Sequence, residues 1–434
     1  MISILLRDLW STLMKLFKST LPWVLWFLSA LFFAFQFILR LYPGLLQETI
    51  SHKFHADATA LGILSSVYYY GYAGLQIPVA MLLDKYGPKY IIPLSACVCS
   101  LGTLLFALTN TWSFLLVSRF CIGAASAAGF LGVSKVISLW FNPSVYPRMV
   151  GISFSIGLIG AVYGGRPLTQ MIEAFGWQSV AFLLSISGGI LAFFIFSCFN
   201  FSSSPTSRSE DSYPKKNDIK SLFKRNQFSL LFKILALALA NLLMVGTLEG
   251  FADIWSIPYL MKTYHYTKAD ASFSVSFIYI GMIIGAPLLT LCAHSPRSYY
   301  TLTCLCGLFA ALLLGTLLLF HGQLPYLLMC FLFFGAGILC CYQVLIFAIG
   351  STLVPLSLMG ITIAFLNSVN MLGGSFFHTV IGCLLDSFWD GAFHNGLPFY
   401  SDLHYGKALW VIPLASIAGA FFVFAIKPVQ HKTS

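Results

Sequence analysis

A handful of ionisable residues stand inside long apolar stretches of this chain. Each needs a reason there, because a charge at the centre of a bilayer costs at least about 2.5–3.5 kcal/mol on insertion scales. Arg40 has Gln36 one helical turn before it on the same face, a forked donor beside an amide. Such a pair can grip a carboxylate bidentately; the alternative is an arginine reaching out to lipid headgroups. Arg119 falls at a similar depth, and two like charges there repel unless an anion or an acid lies between them. The N-terminal half of the chain supplies no acid at that depth. The expectation is a site for an anionic or zwitterionic solute, with an arginine bonded to backbone carbonyls as the structural alternative for Arg119. Arg166, followed by Pro167, reads as interfacial.

Glu249 and Asp253 are the carboxylates nearest membrane depth, and a spacing of four sets them on one helical face. A desolvated acid beside a like charge holds a proton more tightly, so both are candidates for proton coupling, Glu249 first. Gly250 and Pro258 leave a second possibility open, an irregular helix end at which both acids meet external water. His378 is a secondary candidate, or a packing histidine. Neutral polar groups complete the set: Tyr69, Tyr72 and Gln76 at helical spacing, Asn367 and Asn370 three apart, and Gln343. Polar stripes on apolar helices face a partner helix or a water-filled path; their presence in both halves favours the path.

The elements that carry these residues are membrane helices. The chain is 58% hydrophobic and only 9% charged, far from the roughly 25% charged residues of soluble domains. A span needs about 20 apolar residues, since every backbone group must be paired within the helix. Apolar runs predict twelve spans near 22–46, 59–83, 90–110, 113–135, 147–171, 178–200, 230–259, 271–293, 299–320, 325–348, 357–385 and 406–427. The first run is too long for a signal-peptide core and lacks a small-residue cleavage site, so it reads as a retained span. With both termini cytoplasmic, sixteen of the 24 Lys and Arg fall on the cytoplasmic side and four, Lys53, Lys262, Lys268 and Lys407, on the other. That bias sets orientation and accounts for the net charge of +10 without a nucleic-acid partner. The eleven cysteines sit mostly in apolar runs without ligand spacing, so no metal or disulfide frame is expected, and no cofactor.

The stretch 201–229, rich in Ser and charge, separates two blocks, 1–200 and 230–434. They echo each other at an offset near 210 residues: Gly71–Pro78 with Gly281–Pro287, and the segment around Gly123 with that around Gly335. A repeat of six spans is the mark of an all-α transporter built from two pseudo-symmetric bundles.

At the end of the second span stands Ala80-Met-Leu-Leu-Asp84-Lys85-Tyr-Gly87-Pro88-Lys89. An acid at a helix end, a basic neighbour and a turn glycine make a charged clasp that can pair with the next bundle and break as the bundles rock. The segment resembles the loop signature of the major facilitator superfamily, with Ala80 for the first Gly and a Pro before the last basic residue. Arg119-x-x-x-Gly123 resembles that superfamily's second motif, and 250–260 and 359–386 are similar to its bacterial uptake-type members. The charged signature survives only as Ser295-Pro296-Arg297 after the eighth span, and the glycines of 157–165 lack the proline of the antiporter motif. The resemblance implies secondary transport by alternating access, with Asp84, Lys85, Gly87 and Lys89 as gating residues. It also implies an arginine in the first span that binds an organic anion.

The reading is thus a monomeric, multi-pass symporter of a carboxylate, amino acid or short peptide in a bacterial inner membrane, with a proton as partner. An exporter of drug-like or siderophore-like compounds is the alternative within transport. A membrane-embedded transferase is the alternative outside it; its acids would come from 386–406, where Asp386, Asp390, His394, Asp402 and His404 form no recognisable arrangement. No phosphate-binding glycine loop points to ATP-driven pumping.

Overall fold

A computed structural model of the chain describes residues 2–201, 228–293, 295–394 and 396–427. The expected linker, 201–229, lies almost wholly outside the described residues. Twelve spans among the described residues, numbered here in chain order, are Thr20–Phe54, Ala58–Tyr86, Pro88–Leu108, Trp112–Trp140, Pro143–Phe175, Trp177–Asn200, Ser229–Thr263, Lys268–Cys292, Pro296–Leu319, Tyr326–Leu353, Leu358–Phe388 and Asp402–Ala425. Eleven of them are long and apolar enough to cross a bilayer on length and composition alone. Span 2 carries serines, four tyrosines before Gln76 and a further one at its end, and its 29 residues complete the set. "Outer" below denotes the side away from the basic loops.

Local chemistry sets the span ends. Asp57 caps span 2, its Oδ1 accepting the Ala60 N–H at 2.8 Å. Thr267, Ser295 and Ser401 cap spans 8, 9 and 12 in the same way. Gly87 turns the chain between spans 2 and 3 with φ +79°, a conformation that favours glycine, and Pro88 opens the next helix. Span 1 runs further than its apolar stretch predicts: its helix stops at Leu41, a 3₁₀ turn follows over Tyr42–Leu46, and a short helix Gln47–Phe54 continues it.

Packing repeats between the halves. Span 2 packs on 4, 3 on 6 and 1 on 5; in the second half 8 packs on 10, 9 on 12 and 7 on 11. The close approach in each half is made by glycines. A Cβ on Gly71 or Gly123 would strike the backbone of the facing helix, at 2.5 Å from Phe120 O and 1.9 Å from Tyr68 O. Gly281 and Gly337 stand in the same relation, at 2.2 Å from Phe334 O and 2.0 Å from Ile278 O. The partner of Gly123 in the repeat is therefore Gly337 rather than Gly335, whose added Cβ would meet only a leucine methyl.

Two seams join the halves, span 2 with 11 and its pseudo-symmetric counterpart, span 8 with 5. The first is the more extensive. It runs from Thr59 N–H on Asp386 Oδ2 (2.8 Å), through Ser66 Oγ on Ser375 O and Thr379 Oγ1 (2.8 Å each), to Ser368 Oγ on Gln76 Oε1 at 3.1 Å. The second has Thr169 on Ser272 at 3.2 Å and a long, half-exposed Arg166–Asp270 pair at 4.0 Å. A cavity of about 320 Å³ remains on the outer side between the halves, lined among others by Glu48, His52, Trp255, Lys262 and Tyr400.

Candidate functional site

The site forms where spans 1, 2, 4, 7, 8 and 11 converge. Span 1 breaks after Arg40, so the last carbonyls of its helix lose their intrahelical partners. Arg119 of span 4 answers them: Nη1 donates to Leu39 O at 2.8 Å and Nη2 to Arg40 O at 3.4 Å. Its cation lies against the negative end of the helix and 4.9 Å from the centre of the Tyr68 ring. Arg119 thus takes the carbonyl-bonded arrangement.

Arg40 crosses to the other half. Its Nε donates to Asp253 Oδ2 at 2.6 Å, and Nη2 stands 3.5 Å from Glu249 Oε1. The rings of Tyr69 and Phe37 flank it, with centroids 5.2 and 5.6 Å from the guanidinium carbon. Glu249 and Asp253 are 1% and 2% exposed, which rules out the reading in which both simply meet external water. The irregular end is real but lies in the interior: Leu248–Trp255 is a π-helix, a rare form that concentrates at functional sites, and both acids are in it. The acid that the first half lacks is supplied by the second, so Arg40 is not an unanswered charge in this arrangement.

The two acids differ in their partners. Asp253 has both oxygens engaged: Tyr69 and Arg40 donate to Oδ2, and Tyr279 to Oδ1 at 3.0 Å. Glu249 has Asn370 Nδ2 at 3.4 Å from Oε1, while its Oε2 has no hydrogen-bond partner. Gly374 makes room for it, since a Cβ there would lie 2.7 Å from Oε2 and 2.6 Å from the Tyr69 ring. His378 meets the Glu249 backbone oxygen through Nε2, leaves Nδ1 without a partner, and stands edge-on to Tyr69.

Of the remaining expected residues, Gln36 accepts from Tyr68 at 3.1 Å, and Tyr72 stacks beside Tyr68 with ring centres 6.3 Å apart. Gln76 reaches Ser368 in the lower seam. Asn367 and Gln343 are half-buried, and no described hydrogen bond or ion pair ties them to the cluster. In the clasp, Asp84 pairs with Lys135 of its own half at 2.6 Å, while Lys85 and Lys89 lie over Tyr86 and Tyr90. The acids and histidines of 386–406 hold structural posts. Asp386 meets span 2, Asp390 Oδ1 accepts the Ala392 N–H, Asp402 pairs with His321, His404 accepts the Ser401 N–H, and His394 faces Phe399.

Sequence reasoning missed Tyr68, Tyr279 and Ser368. A signal existed for Tyr279. The offset that relates Gly71 to Gly281 also relates Tyr69 to Tyr279, and these two equivalent hydroxyls close on one carboxylate, Asp253.

Residues 24–378 match the family described as the Major Facilitator Superfamily. Among curated proteins, the chain is 32% identical over 161 residues to the "Uncharacterized transporter YybO" of Bacillus subtilis (strain 168), covering 36% of this chain and 37% of that one. It is 29% identical over 182 residues to the "Probable galactarate/D-glucarate transporter GudP" of the same organism, covering 40% of each. The aligned parts thus span about two fifths of these relatives' length. Among solved structures, a mutant form of the nucleoside transporter NupG superposes with a TM-score of 0.72 at 13% identity, over 94% of this chain and 100% of that one, a likeness of fold.

Proposed function

This chain belongs to the Major Facilitator Superfamily, and on that premise we propose that it carries a small organic anion or zwitterion, such as a carboxylate, amino acid or short peptide, in symport with protons. It is a transporter and not an enzyme. The observation that carries the substrate class is Arg40, a planar bidentate donor held at the junction of the halves by carboxylates of the opposite one. A solute carboxylate offers Arg40 the same chemistry as Asp253 and can take its place. A cation could not replace Asp253 on Arg40, and a purely apolar solute would leave buried donors unpaired. The relative whose name specifies galactarate and D-glucarate, two carboxylate solutes, supports the same class.

Displacement from Arg40 gives the coupling. A carboxylate buried without its cation is costly as an anion, so it takes up a proton. Asp253 keeps the hydroxyls of Tyr69 and Tyr279 when Arg40 leaves, whereas Glu249 has one long bond and an unpartnered oxygen. Glu249 is therefore the proton carrier, and Asp253 the acid that the two tyrosine hydroxyls keep partnered. The basic loops support cytoplasmic termini, as in a bacterial inner membrane, and Asp84, Lys85, Gly87 and Lys89 form the inner clasp.

In proteoliposomes, Glu249→Gln abolishes accumulation driven by a proton gradient and leaves solute exchange intact. Accumulation at the wild-type level in that variant rejects the role of Glu249.

A further inference from the structure

The upper end of the span 2–span 11 seam holds an arrangement that the transport reading above does not use. Asp386 ends span 11 on the outer side. Its Oδ2 accepts the Thr59 N–H at 2.8 Å, and its Oδ1 accepts the Tyr400 hydroxyl, which in turn accepts the Ala58 N–H at 3.1 Å. Span 2 runs from Ala58 to Tyr86, so these are the first two of its unpaired helical N–H groups. The side chain of its own N-cap, Asp57, accepts the Ala60 N–H instead. The positive end of a 29-residue helix in one half is thereby held by a carboxylate and a phenol of the other.

The backbone is shaped for this contact. A Cβ on Gly382, one turn below Asp386, would lie 2.4 Å from Ala58 O, and one on Gly62 would lie 2.3 Å from His378 O. The helices touch at glycines, and a side chain at either place would push the carboxylate away from its donors.

The sequence Gly382-Cys-Leu-Leu-Asp386 repeats the pattern Ala80-Met-Leu-Leu-Asp84. Spans 2 and 11 are antiparallel, so the two patterns lie at opposite ends of one helix pair. Here the outer aspartate is engaged with the opposite half and the inner one is not: Asp84 is about one-third exposed and bound to Lys135 of its own half.

We propose that Asp386, with Tyr400, is the outer gate of the transport cycle: the outer entrance is shut while this pair holds the start of span 2, and opens when it lets go. Asp386→Asn keeps the shape and removes the charge, and Tyr400→Phe removes one link. Each shifts the population toward the outward-open state without touching the Arg40 cluster.

The test uses two reporters in the full-length protein. Ser66→Cys lies in the seam against Ser375 and Thr379, and is probed from outside with a membrane-impermeant maleimide in right-side-out vesicles. Ser368→Cys lies lower in the same seam beside Gln76, and is probed from the cytoplasmic side in inside-out vesicles. Labelling of protein without either reporter gives the background from native cysteines. Asp386→Asn is expected to speed labelling at 66 about tenfold, the ratio that loss of a charge-assisted hydrogen bond implies, and to slow it at 368. Tyr400→Phe is expected to give smaller changes of the same signs. Unchanged rates at 66, or a rise at both positions, which is loosening rather than a shift between states, overturns the proposal. If Asp386→Asn is not recovered in membranes, Tyr400→Phe decides: unchanged rates in that variant overturn it equally.

Discussion

At mid-membrane depth, among the described residues, the N-terminal bundle brings only positive charge, Arg40 and Arg119, and the C-terminal bundle only negative, Glu249 and Asp253. Arg40 and Glu249 stand 209 positions apart, near one repeat length, so equivalent places in the two halves carry opposite signs. Neither bundle is balanced alone. A buried pair that forms only across a moving junction is a poor source of fold stability, because desolvation offsets most of its attraction. It is a good switch, because anything that competes for one partner frees the other. The two arginines differ in the same terms. Arg119 is answered inside its own bundle by the broken end of span 1, and Arg40 only by the other bundle.

The largest effect is therefore expected at Arg40. Arg40→Ala leaves two buried carboxylates without a cation, and removing one member of such a cluster costs about 3–5 kcal/mol. It should appear as a sharp loss of monodisperse protein in detergent and a lowered thermal midpoint. Adding Asp253→Ala and Glu249→Gln should restore much of the midpoint while transport stays absent. A single variant as stable as the triple one would mean that Arg40 is not what neutralises the two acids.

Arg119→Lys should have a middle effect. One ammonium cannot reproduce the two-carbonyl fork, and loss of one charge-assisted bond is worth about 1.5–3 kcal/mol. Thermal stability and turnover should fall, with solute affinity nearly unchanged. Sequence reasoning alone expects both arginines to lose affinity on conversion to lysine. An affinity loss at Arg119 equal to that at Arg40 would return it to the binding site. The smallest effect belongs to the seam of spans 5 and 8: the Arg166–Asp270 pair is 4.0 Å long with both side chains about two-fifths exposed, so Arg166→Ala should change stability by under about 1 kcal/mol.

The spans, the repeat and the charged residues were all legible, because hydropathy, periodicity and insertion cost act locally. Which charge meets which was not. The contact of Arg40 with Asp253 depends on how two bundles dock, and no local rule relates residues so far apart. The π-helix of span 7 was visible only as an irregularity around Gly250, and its depth followed from tertiary packing. Asp386 was legible as an acid at the edge of an outer loop; that it holds the start of span 2 requires the glycine contacts at Gly62 and Gly382 to be seen from both sides.

In the proposed mechanism Arg40 exchanges its internal carboxylates for that of the solute. The most direct test is counterflow and gradient-driven uptake in proteoliposomes over a panel of sugar acids, other carboxylates, amino acids, short peptides and lipophilic cations, with wild type and Arg40→Lys side by side. Carboxylate-bearing solutes should be carried, an acid exterior should drive their accumulation, and Arg40→Lys should lose at least about tenfold in apparent affinity because the fork is gone. A lipophilic cation as the best substrate, or normal affinity in Arg40→Lys, would contradict it.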